Sequence, residues 1–346
     1  MQPATSTFRY PFQFKLEQDR YLPGFELCYT TYGRLNEDRS NVVWICHALT
    51  GNSNPTTWWS GLVGEGKLYN PEQHFIICAN ILGSCYGSTS PLSINPETGK
   101  AFFHDFPLIT VRDVVASMEL LREHLEIGKI SVCIGGSLGG QQALEWAIER
   151  PDIIDSLVLI ASNAIHSPWG IAFNESQRMA IEADSSWIES HPQAGIRGLK
   201  AARSIAMLTY RHYDTYNFSQ ARDNFDQIDD FRASGYQQYQ GQKFIERFNA
   251  FSYWTLTKMM DSHNVGRNRN GLVNALRTVN MPTLVIGIAS DLLFPVREQH
   301  FLQTHIPDAV YQEIDSLYGH DGFLVDAAPL TRIIGSWSET LAANSQ

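Results

Sequence analysis

Runs of consecutive apolar residues recur along the chain, and most are separated by stretches whose apolar residues follow helical spacing. Residues 110–125 are one such stretch, and Thr110 with Asp113 predicts a capped start for that helix. Parallel strands that helices cover on both faces are apolar throughout. The pattern therefore predicts an α/β fold with a mostly parallel, doubly wound sheet. The apolar runs that predict its strands are residues 41–46, 74–80, 130–134, 157–161, 282–288 and 309–314.

Two parts of the chain depart from this alternation. The first 40 residues contain alternating aromatic stretches, which predict an antiparallel hairpin that opens the fold. Residues 167–279 have no buried-strand run and are rich in helical patterns, aromatic residues and amides. We interpret 167–279 as a helical lid inserted into a core formed by 1–166 and 280–346. A second folding domain unrelated to any site is the alternative.

Composition and charge narrow the functional class. The 346 residues carry a formal net charge of −10, which argues against a broad nucleic-acid-binding face. Five cysteines without a C-x-x-C pair indicate neither a disulfide framework nor a zinc site, and they favour a reducing compartment. We found no apolar stretch typical of a signal peptide or a membrane span, so a cytoplasmic location is expected.

Residues 129–150, KISVCIGGSLGGQQALEWAIER, predict a strand, a sharp turn and a helix. Within them, residues 135–139 fit the motif G-x-S-x-G, which places Ser137 on the turn. A serine on a strained strand-to-helix turn exposes its hydroxyl above the sheet, beside the N–H groups of the helix N-terminus. Ser137 is therefore a candidate nucleophile. The alternative is a glycine-rich turn with an incidental serine.

Two further polar residues follow predicted strands at the same edge of the sheet. Asp291 and His320 come after Ser137 in the chain order of the α/β-hydrolase triad. A neutral serine needs a base, and that imidazole needs a carboxylate to hold its tautomer and stabilise its charge. Backbone N–H groups of Leu49 and Leu138 are the candidate oxyanion hole. These residues together predict acyl-transfer chemistry.

Each of these assignments has an alternative. Asp291 could be a turn residue, and His300 and His305 are rival bases, although both precede the last predicted strand. Residues 61–67 imitate a phosphate-binding loop but lack the following Ser or Thr, so we interpret them as an ordinary loop. Cys85 lies in a polar loop with no evident base nearby, which favours a structural role.

Several long motifs in one order resemble the homoserine O-acetyltransferase family of the α/β-hydrolase superfamily. The resemblance covers nearly the whole chain, and each motif alone would be far less specific. The motifs are HALTG (47–51), ANILGSCYGSTSP (79–91), FPLITVRD (106–113), GGSLGGQQALEW (135–146), TYRHY (209–213), YQGQKFIERFNAFSYWTLTKMMD (239–261), SDLLFP (290–295) and GHDGFL (319–324).

The resemblance implies roles that spacing alone does not give. Arg211 would bind the homoserine carboxylate, Asp321 its α-ammonium group, and Thr50 would lie near the acyl group. It also implies L-homoserine and acetyl-CoA as substrates, with acetyl-CoA as co-substrate and no cofactor or metal, and it suggests a homodimer. Without it, Arg211 would be a surface lid arginine and Asp321 a turn residue.

Alternative functions stay open at this point. Leu138 and Gln141 stand where the family often has methionine, and Ser84 and Ser90 where it often has glycine, so the size of the acyl group is not fixed. A homoserine O-succinyltransferase or a serine O-acyltransferase would use the same scaffold. A serine esterase would use water as acceptor. A ligand-binding protein without catalysis is disfavoured by the complete set of Ser137, Asp291 and His320.

Overall fold

The computed structural model describes residues 3–222 and 224–344, and its centre is an eight-stranded sheet. The described residues form twelve strands, eight of them in this sheet. The other four form two separate hairpins, β2 with β3 and β7 with β8. The strands are β1 (Ala4–Tyr10), β2 (Phe14–Lys15), β3 (Tyr21–Leu22), β4 (Phe25–Tyr32), β5 (Val42–Cys46), β6 (Phe75–Ala79), β7 (Ile94–Asn95), β8 (Lys100–Ala101), β9 (Val132–Gly136), β10 (Leu157–Ile160), β11 (Thr283–Ile288) and β12 (Val310–Ile314).

The strand order of the main sheet is β1-β4-β6-β5-β9-β10-β11-β12. All neighbours from β6 to β12 pair in parallel. Strand β4 is antiparallel to both β1 and β6, so the predicted opening hairpin is confirmed as the β1–β4 pair. The mostly parallel α/β architecture predicted from the apolar runs is also confirmed.

Twelve α-helices lie in the described residues, together with three short 3₁₀ helices at Phe103–Asp105, Ser185–Ile188 and Gly319–Asp321. Thr110 and Asp113 form the predicted capping box at the start of α2. The helices are α1 (Pro55–Trp58), α2 (Val111–His124), α3 (Leu138–Glu149), α4 (Pro168–Glu182), α5 (Ile196–Tyr210), α6 (Tyr213–Ser219), α7 (Arg232–Ile245), α8 (Ala250–Asp261), α9 (Leu272–Leu276), α10 (Val296–His305), α11 (Gly322–Val325) and α12 (Ala327–Asn344).

Successive residues of the central strands alternate between two buried apolar clusters, one for each face of the sheet. On β5, Trp44 belongs to one cluster, and Val43 and Ile45 belong to the other. On β10, Leu159 and Val158 are divided in the same way. Both faces of the sheet are therefore covered, which explains why its strands are apolar throughout.

The boundary of β9 differs from the sequence-based expectation. The apolar run predicted a strand over 130–134, whereas the strand spans Val132–Gly136 and includes both glycines. Gly135 pairs with Cys46 of β5, and Gly136 pairs with Ile160 of β10. Neighbouring strands on both sides thus extend β9 through residues that have low intrinsic strand propensity.

Helices α4 to α9 follow one another between β10 and β11. The Oγ of Ser167 accepts the backbone N–H of Gly170 and so caps α4, which begins where the strand pattern is lost. No strand occurs between 161 and 282 in the described residues, although Ile165 and Asn264 form an isolated bridge. This helical segment contributes several residues to a cavity at the edge of the sheet.

Candidate active site

Ser137 lies on the tight turn between β9 and α3. Its backbone has φ 57° and ψ −126°, a conformation that costs free energy for any residue other than glycine. Packing against the neighbouring strand maintains it: a Cβ at Gly139 would lie 2.1 Å from the carbonyl oxygen of Cys46. A Cβ at Gly135 would lie 2.2 Å from the carbonyl carbon of Gly139. The two glycines let the turn close tightly with Ser137 at its apex.

Hydrogen bonds from the next strand hold the backbone of Ser137. Its N–H donates to the carbonyl of Ile160 at 2.9 Å, and its carbonyl accepts the hydroxyl of Ser162 at 2.9 Å. Leu138 begins α3, where backbone N–H groups lack partners within the helix. The turn therefore presents a fixed hydroxyl beside unpaired helix N–H groups.

Asp291 and His320 form a buried pair beyond the ends of β11 and β12. The Nδ1 of His320 lies 2.6 Å from one carboxylate oxygen of Asp291. The other oxygen accepts the backbone N–H groups of Leu293 and Phe294, each at 2.8 Å. Because the carboxylate is held from both sides, it fixes the imidazole with Nε2 available on the opposite side of the ring.

The surroundings of His320 bear on its protonation. Burial on its own lowers the pKa of His320, but the nearby carboxylates of Asp291, Asp321 and Glu298 outweigh burial, so that its pKa is above the usual value. The ring stacks on Phe294, with centroids 5.0 Å apart and planes 18° apart. This stacking restricts rotation of the imidazole away from Asp291.

The loop after β5, residues 47–51, lies against the same edge of the sheet. Burial lowers the pKa of His47 to about 4, so its imidazole is neutral. Its Nδ1 lies 2.8 Å from the carbonyl of Ala48, and its Nε2 accepts the N–H of Ile81 at 3.2 Å. His47 thereby holds the loop that contains Leu49 and Thr50, a role that the sequence analysis did not foresee.

A cavity of about 190 Å³ opens at this edge of the sheet. Five of the residues singled out from the sequence line it: Ser137, His320, Leu49, Thr50 and Asp321. Asp291 lies behind His320, and the Leu138 side chain is buried in the core. Other lining residues come from the helical segment and include Asn174, Gln177, Arg203, Tyr210, Arg247 and Met260.

Arg211 and Asp321 lie against each other at the edge of this cavity. The Nε of Arg211 is 3.2 Å from a carboxylate oxygen of Asp321, an ion pair without the alignment of a hydrogen bond. Burial raises the pKa of Asp321, and the positive charges of Arg211 and Arg203 oppose that rise only in part. The structure thus brings together the two residues that the resemblance assigned to a zwitterionic substrate.

Sequence reasoning missed two arginines of the cavity and one acid behind it. Arg203 lies seven residues before Tyr210 on α5, a spacing that puts both on one helix face and that could have suggested the arginine. Arg247 lies between α7 and α8. Glu298 accepts a 2.9 Å hydrogen bond from the Asn163 side chain, and burial raises its pKa to about 7. Arg247 lies within the family-like stretch 239–261, but neither that stretch nor its spacing assigned the residue a role, and Glu298 lies in no motif.

Two other candidates from the sequence lie outside this chemistry. Burial raises the pKa of Cys85 to about 11, which keeps the thiol protonated and a poor nucleophile. Residues 61–67 follow α1 rather than a strand, unlike a phosphate-binding loop. Among the described residues, no group of three or more His, Cys, Asp or Glu side chains could hold a metal ion.

Comparison with known proteins identifies the family to which the chain is related. Residues 41–327 match the alpha/beta hydrolase fold family. Homoserine O-acetyltransferase of Cyclobacterium marinum is 49% identical over 322 residues, which cover 93% of this chain and 92% of that protein. The chain belongs to the homoserine O-acetyltransferase family.

Solved structures agree with this membership. The crystal structure of homoserine O-acetyltransferase from Bacillus anthracis superposes with a TM-score of 0.90 at 25% identity, covering 97% of this chain and 98% of that one. Esterase E22 superposes with a TM-score of 0.88 at 21% identity, covering 97% and 100%, a likeness that concerns the fold alone. The same scaffold therefore occurs in a family member and in a protein described as an esterase.

No helix in the part of the chain that the structure describes is both long and apolar enough to cross a bilayer.

Proposed function

We propose that the protein transfers an acetyl group from acetyl-CoA to the hydroxyl group of L-homoserine through an acyl-serine intermediate. The observation that carries this proposal is the shared cavity, in which Ser137 and His320 meet the carboxylate of Asp321. A plain esterase has no need of paired charges for an amino-acid acceptor. Membership of the homoserine O-acetyltransferase family supports the same acceptor and donor.

In the first half-reaction, the Oγ of Ser137 attacks the thioester carbonyl of acetyl-CoA while His320 accepts its proton. Asp291 stabilises the imidazolium that forms. The backbone N–H groups of Leu49 and Leu138 bind the negatively charged oxygen of the tetrahedral intermediate. CoA then leaves as a thiol after His320 returns the proton, and the acetyl group stays on Ser137.

In the second half-reaction, the homoserine hydroxyl attacks the acetyl-serine. Arg211 binds the substrate carboxylate, Asp321 binds the α-ammonium group, and Thr50 lies beside the acyl group. These contacts direct the hydroxyl toward His320, which removes its proton and then returns it to Ser137. O-acetylhomoserine leaves, and no cofactor or metal takes part in this scheme.

Water competes with homoserine for the acyl-enzyme, so the cavity must be shielded. Helices between β10 and β11 supply Asn174, Gln177, Arg203 and Tyr210 to its lining. We assign the segment 167–279 the role of a lid that excludes water from the acetyl-serine. We further expect the working form to be a homodimer.

The half-reactions can be measured separately. We expect acetyl-CoA alone to acetylate Ser137, detected as a mass increase of the intact protein, and homoserine to discharge it. The Ser137→Ala variant should lose both the mass increase and the transfer while its melting temperature stays near that of the parent. Acetylation elsewhere with undiminished transfer would refute the proposed nucleophile.

The donor is tested by offering acetyl-CoA and succinyl-CoA in parallel reactions. The acceptor is tested by offering L-homoserine and L-serine in the same way. The proposal requires O-acetylhomoserine as the main product, identified by mass. The acylation step releases one equivalent of CoA per protein without homoserine. Rapid release of many equivalents in the absence of homoserine would indicate an esterase instead. Preferential use of succinyl-CoA would retain the mechanism but correct the donor.

A further inference from the structure

The cavity contains more positive charge than the two residues assigned to homoserine require. Arg203, Arg247 and Asp321 all line it, and Arg211 lies against Asp321 at its edge. Asp291 is committed to His320. Two arginines therefore line the cavity and a third borders it, against one lining carboxylate, that of Asp321. This excess of positive charge favours binding of an anionic group.

Arg203 is the arginine whose donors are least used. Its Nη1 is shielded from solvent and has no hydrogen-bond partner among the described residues. Leaving a buried charged donor unpaired is unfavourable, so such a donor in a native fold points to a missing partner. Arg211 differs, because its charge already faces Asp321 at 3.2 Å.

Two aromatic rings hold the Arg203 guanidinium in position. Its central carbon lies 5.2 Å from the centre of the Tyr210 ring and 4.9 Å from that of Phe244. Phe244 is buried in the core, and Tyr210 packs near His320 with ring centroids 6.1 Å apart. The guanidinium is therefore fixed at the inner wall of the cavity on the side of the catalytic imidazole.

Position in the cavity separates Arg203 from Arg247. Arg247 is exposed and donates to the carbonyl of Thr50 at 2.9 Å and to the hydroxyl of Tyr86 at 2.6 Å. An exposed arginine suits a large polyanionic donor that reaches in from outside. Arg203 is more enclosed and suits a small anion that enters the cavity completely.

We propose that Arg203 is a second carboxylate-binding arginine for the amino-acid acceptor and acts beside Arg211. This inference rests on the proposed function and adds a residue to its acceptor site. The α-ammonium group of homoserine then pairs with Asp321, while the carboxylate lies between the two guanidinium groups. Such an arrangement selects acceptors by their carboxylate as well as by their hydroxyl group.

The test compares two acceptors that differ only in the carboxylate: L-homoserine and 3-aminopropan-1-ol. We expect Arg203→Gln to lower kcat/KM for homoserine about 100-fold, because a charge-assisted hydrogen bond is lost. The kcat/KM for 3-aminopropan-1-ol should stay unchanged. Arg203→Lys should restore part of the preference for homoserine. Arg197→Gln, an exposed position on the same helix, is the matched control and should change neither value.

Two outcomes would overturn the role of Arg203. Equal loss with both acceptors would indicate a structural role only. A raised KM for acetyl-CoA in the acylation half-reaction, with acceptor preference intact, would assign Arg203 to the donor. Melting temperatures of the variants establish that each is folded.

A binding measurement separates this inference from the proposed function. Calorimetric titration of L-homoserine into Ser137→Ala, with and without Arg203→Gln, requires no turnover. Weaker binding in the double variant, with unchanged binding of 3-aminopropan-1-ol, supports the carboxylate role. Unchanged homoserine binding refutes Arg203 alone, whereas no homoserine binding to Ser137→Ala refutes the proposed acceptor as well.

Discussion

Three carboxylates act on the imidazole of His320. Asp291 is bonded to its Nδ1, while Asp321 and Glu298 act through space, and together they raise its pKa against the opposing effect of burial. Acylation of Ser137 needs the neutral imidazole, which exists above that pKa. We therefore expect the acylation rate to rise with pH through an apparent pKa above about 6.5, the ordinary value for histidine. Rapid-mixing measurements of CoA release between pH 5 and pH 9 would check this, and a limb centred below the ordinary value would contradict it.

Glu298 gives a sharper test of the same electrostatics. Its carboxylate raises the pKa of His320, and burial raises its own pKa to about 7, so its influence develops near neutral pH. Glu298→Gln removes the charge but keeps an oxygen to accept the Asn163 side chain. In Glu298→Gln, the pH at which the acylation rate rises should be lower than in the parent. Glu339→Gln, at an exposed position on α12, should leave that pH unchanged. An unchanged pH dependence of the acylation rate in Glu298→Gln would contradict this coupling between Glu298 and His320.

Among single residues, sequence analysis identifies those that follow a predicted strand and also belong to a motif. Ser137, Asp291 and His320 met both conditions, and the structure brings the last two within hydrogen-bond distance. Arg203 and Glu298 met neither condition. Their place in the site depends on how α5 packs against the neighbouring helices α4 and α7 and how α10 packs against β11, and local spacing does not encode that packing.

The turn between β9 and α3 depends on close approach of backbone to backbone. Gly139→Ala would put a Cβ 2.1 Å from the carbonyl oxygen of Cys46, so either α3 or β5 must shift. We expect a loss of about 1–3 kcal/mol in unfolding free energy, the usual cost of overpacking, with a larger loss of acylation. Gly235→Ala, in α7 with open space around the new methyl group, should instead stabilise by about 0.5–1 kcal/mol.

Denaturant titration of the two alanine variants measures both effects. A Gly139→Ala protein as stable and active as the parent would contradict the packing argument for this turn.

The same packing explains why the end of β9 was misplaced from the sequence. Gly135 and Gly136 end the apolar run, yet their neighbours Cys46 and Ile160 extend the ladder through them.

Arg247 connects the helical segment to the loop after β5. Its Nη1 donates to the carbonyl of Thr50 and to the hydroxyl of Tyr86, so its loss should let the segment move away from the cavity. We expect Arg247→Ala to raise hydrolysis of the acetyl-enzyme by up to about 30-fold, since it removes two hydrogen bonds that contribute about 1 kcal/mol each. Lys243→Ala, whose side chain lies over the Tyr239 ring within α7, is the control.

Hydrolysis is measured as loss of the acetyl mass from the protein in the absence of homoserine. Equal rates in Arg247→Ala and the parent would show that the segment shields the acetyl group without this contact. A change in Lys243→Ala of the same size would indicate a general loosening of α7 instead.

For the whole molecule, the class of fold followed from the chain, but the order of strands did not. Long apolar runs between helices predicted a parallel sheet, because only strands covered on both faces are apolar throughout. The order β1-β4-β6-β5-β9-β10-β11-β12 requires crossovers whose direction no residue marks. The helical segment was visible as lost strand periodicity, whereas its contribution to the cavity depends on tertiary packing.

The expected homodimer has a candidate surface in the helical segment. Phe218, Phe225 and Ile228 lie between the start of α6 and the start of α7, and their exposures are 77%, 93% and 94%. Large apolar side chains that are this close in the chain and this exposed are typical of an interaction surface, because leaving them in water is unfavourable. A second copy of the chain would cover them.

Light scattering during size-exclusion chromatography tests that surface. We expect the parent to elute with the mass of two chains, and the Phe225→Ser/Ile228→Ser variant to elute with the mass of one. Ile188→Ser removes an isoleucine that is 85% exposed outside this surface and should leave the mass unchanged. Acylation by acetyl-CoA should persist in the single chain, because the cavity residues named above all belong to one chain. A parent that elutes as one chain would refute the dimer, and a double variant that elutes as two would place the interface elsewhere.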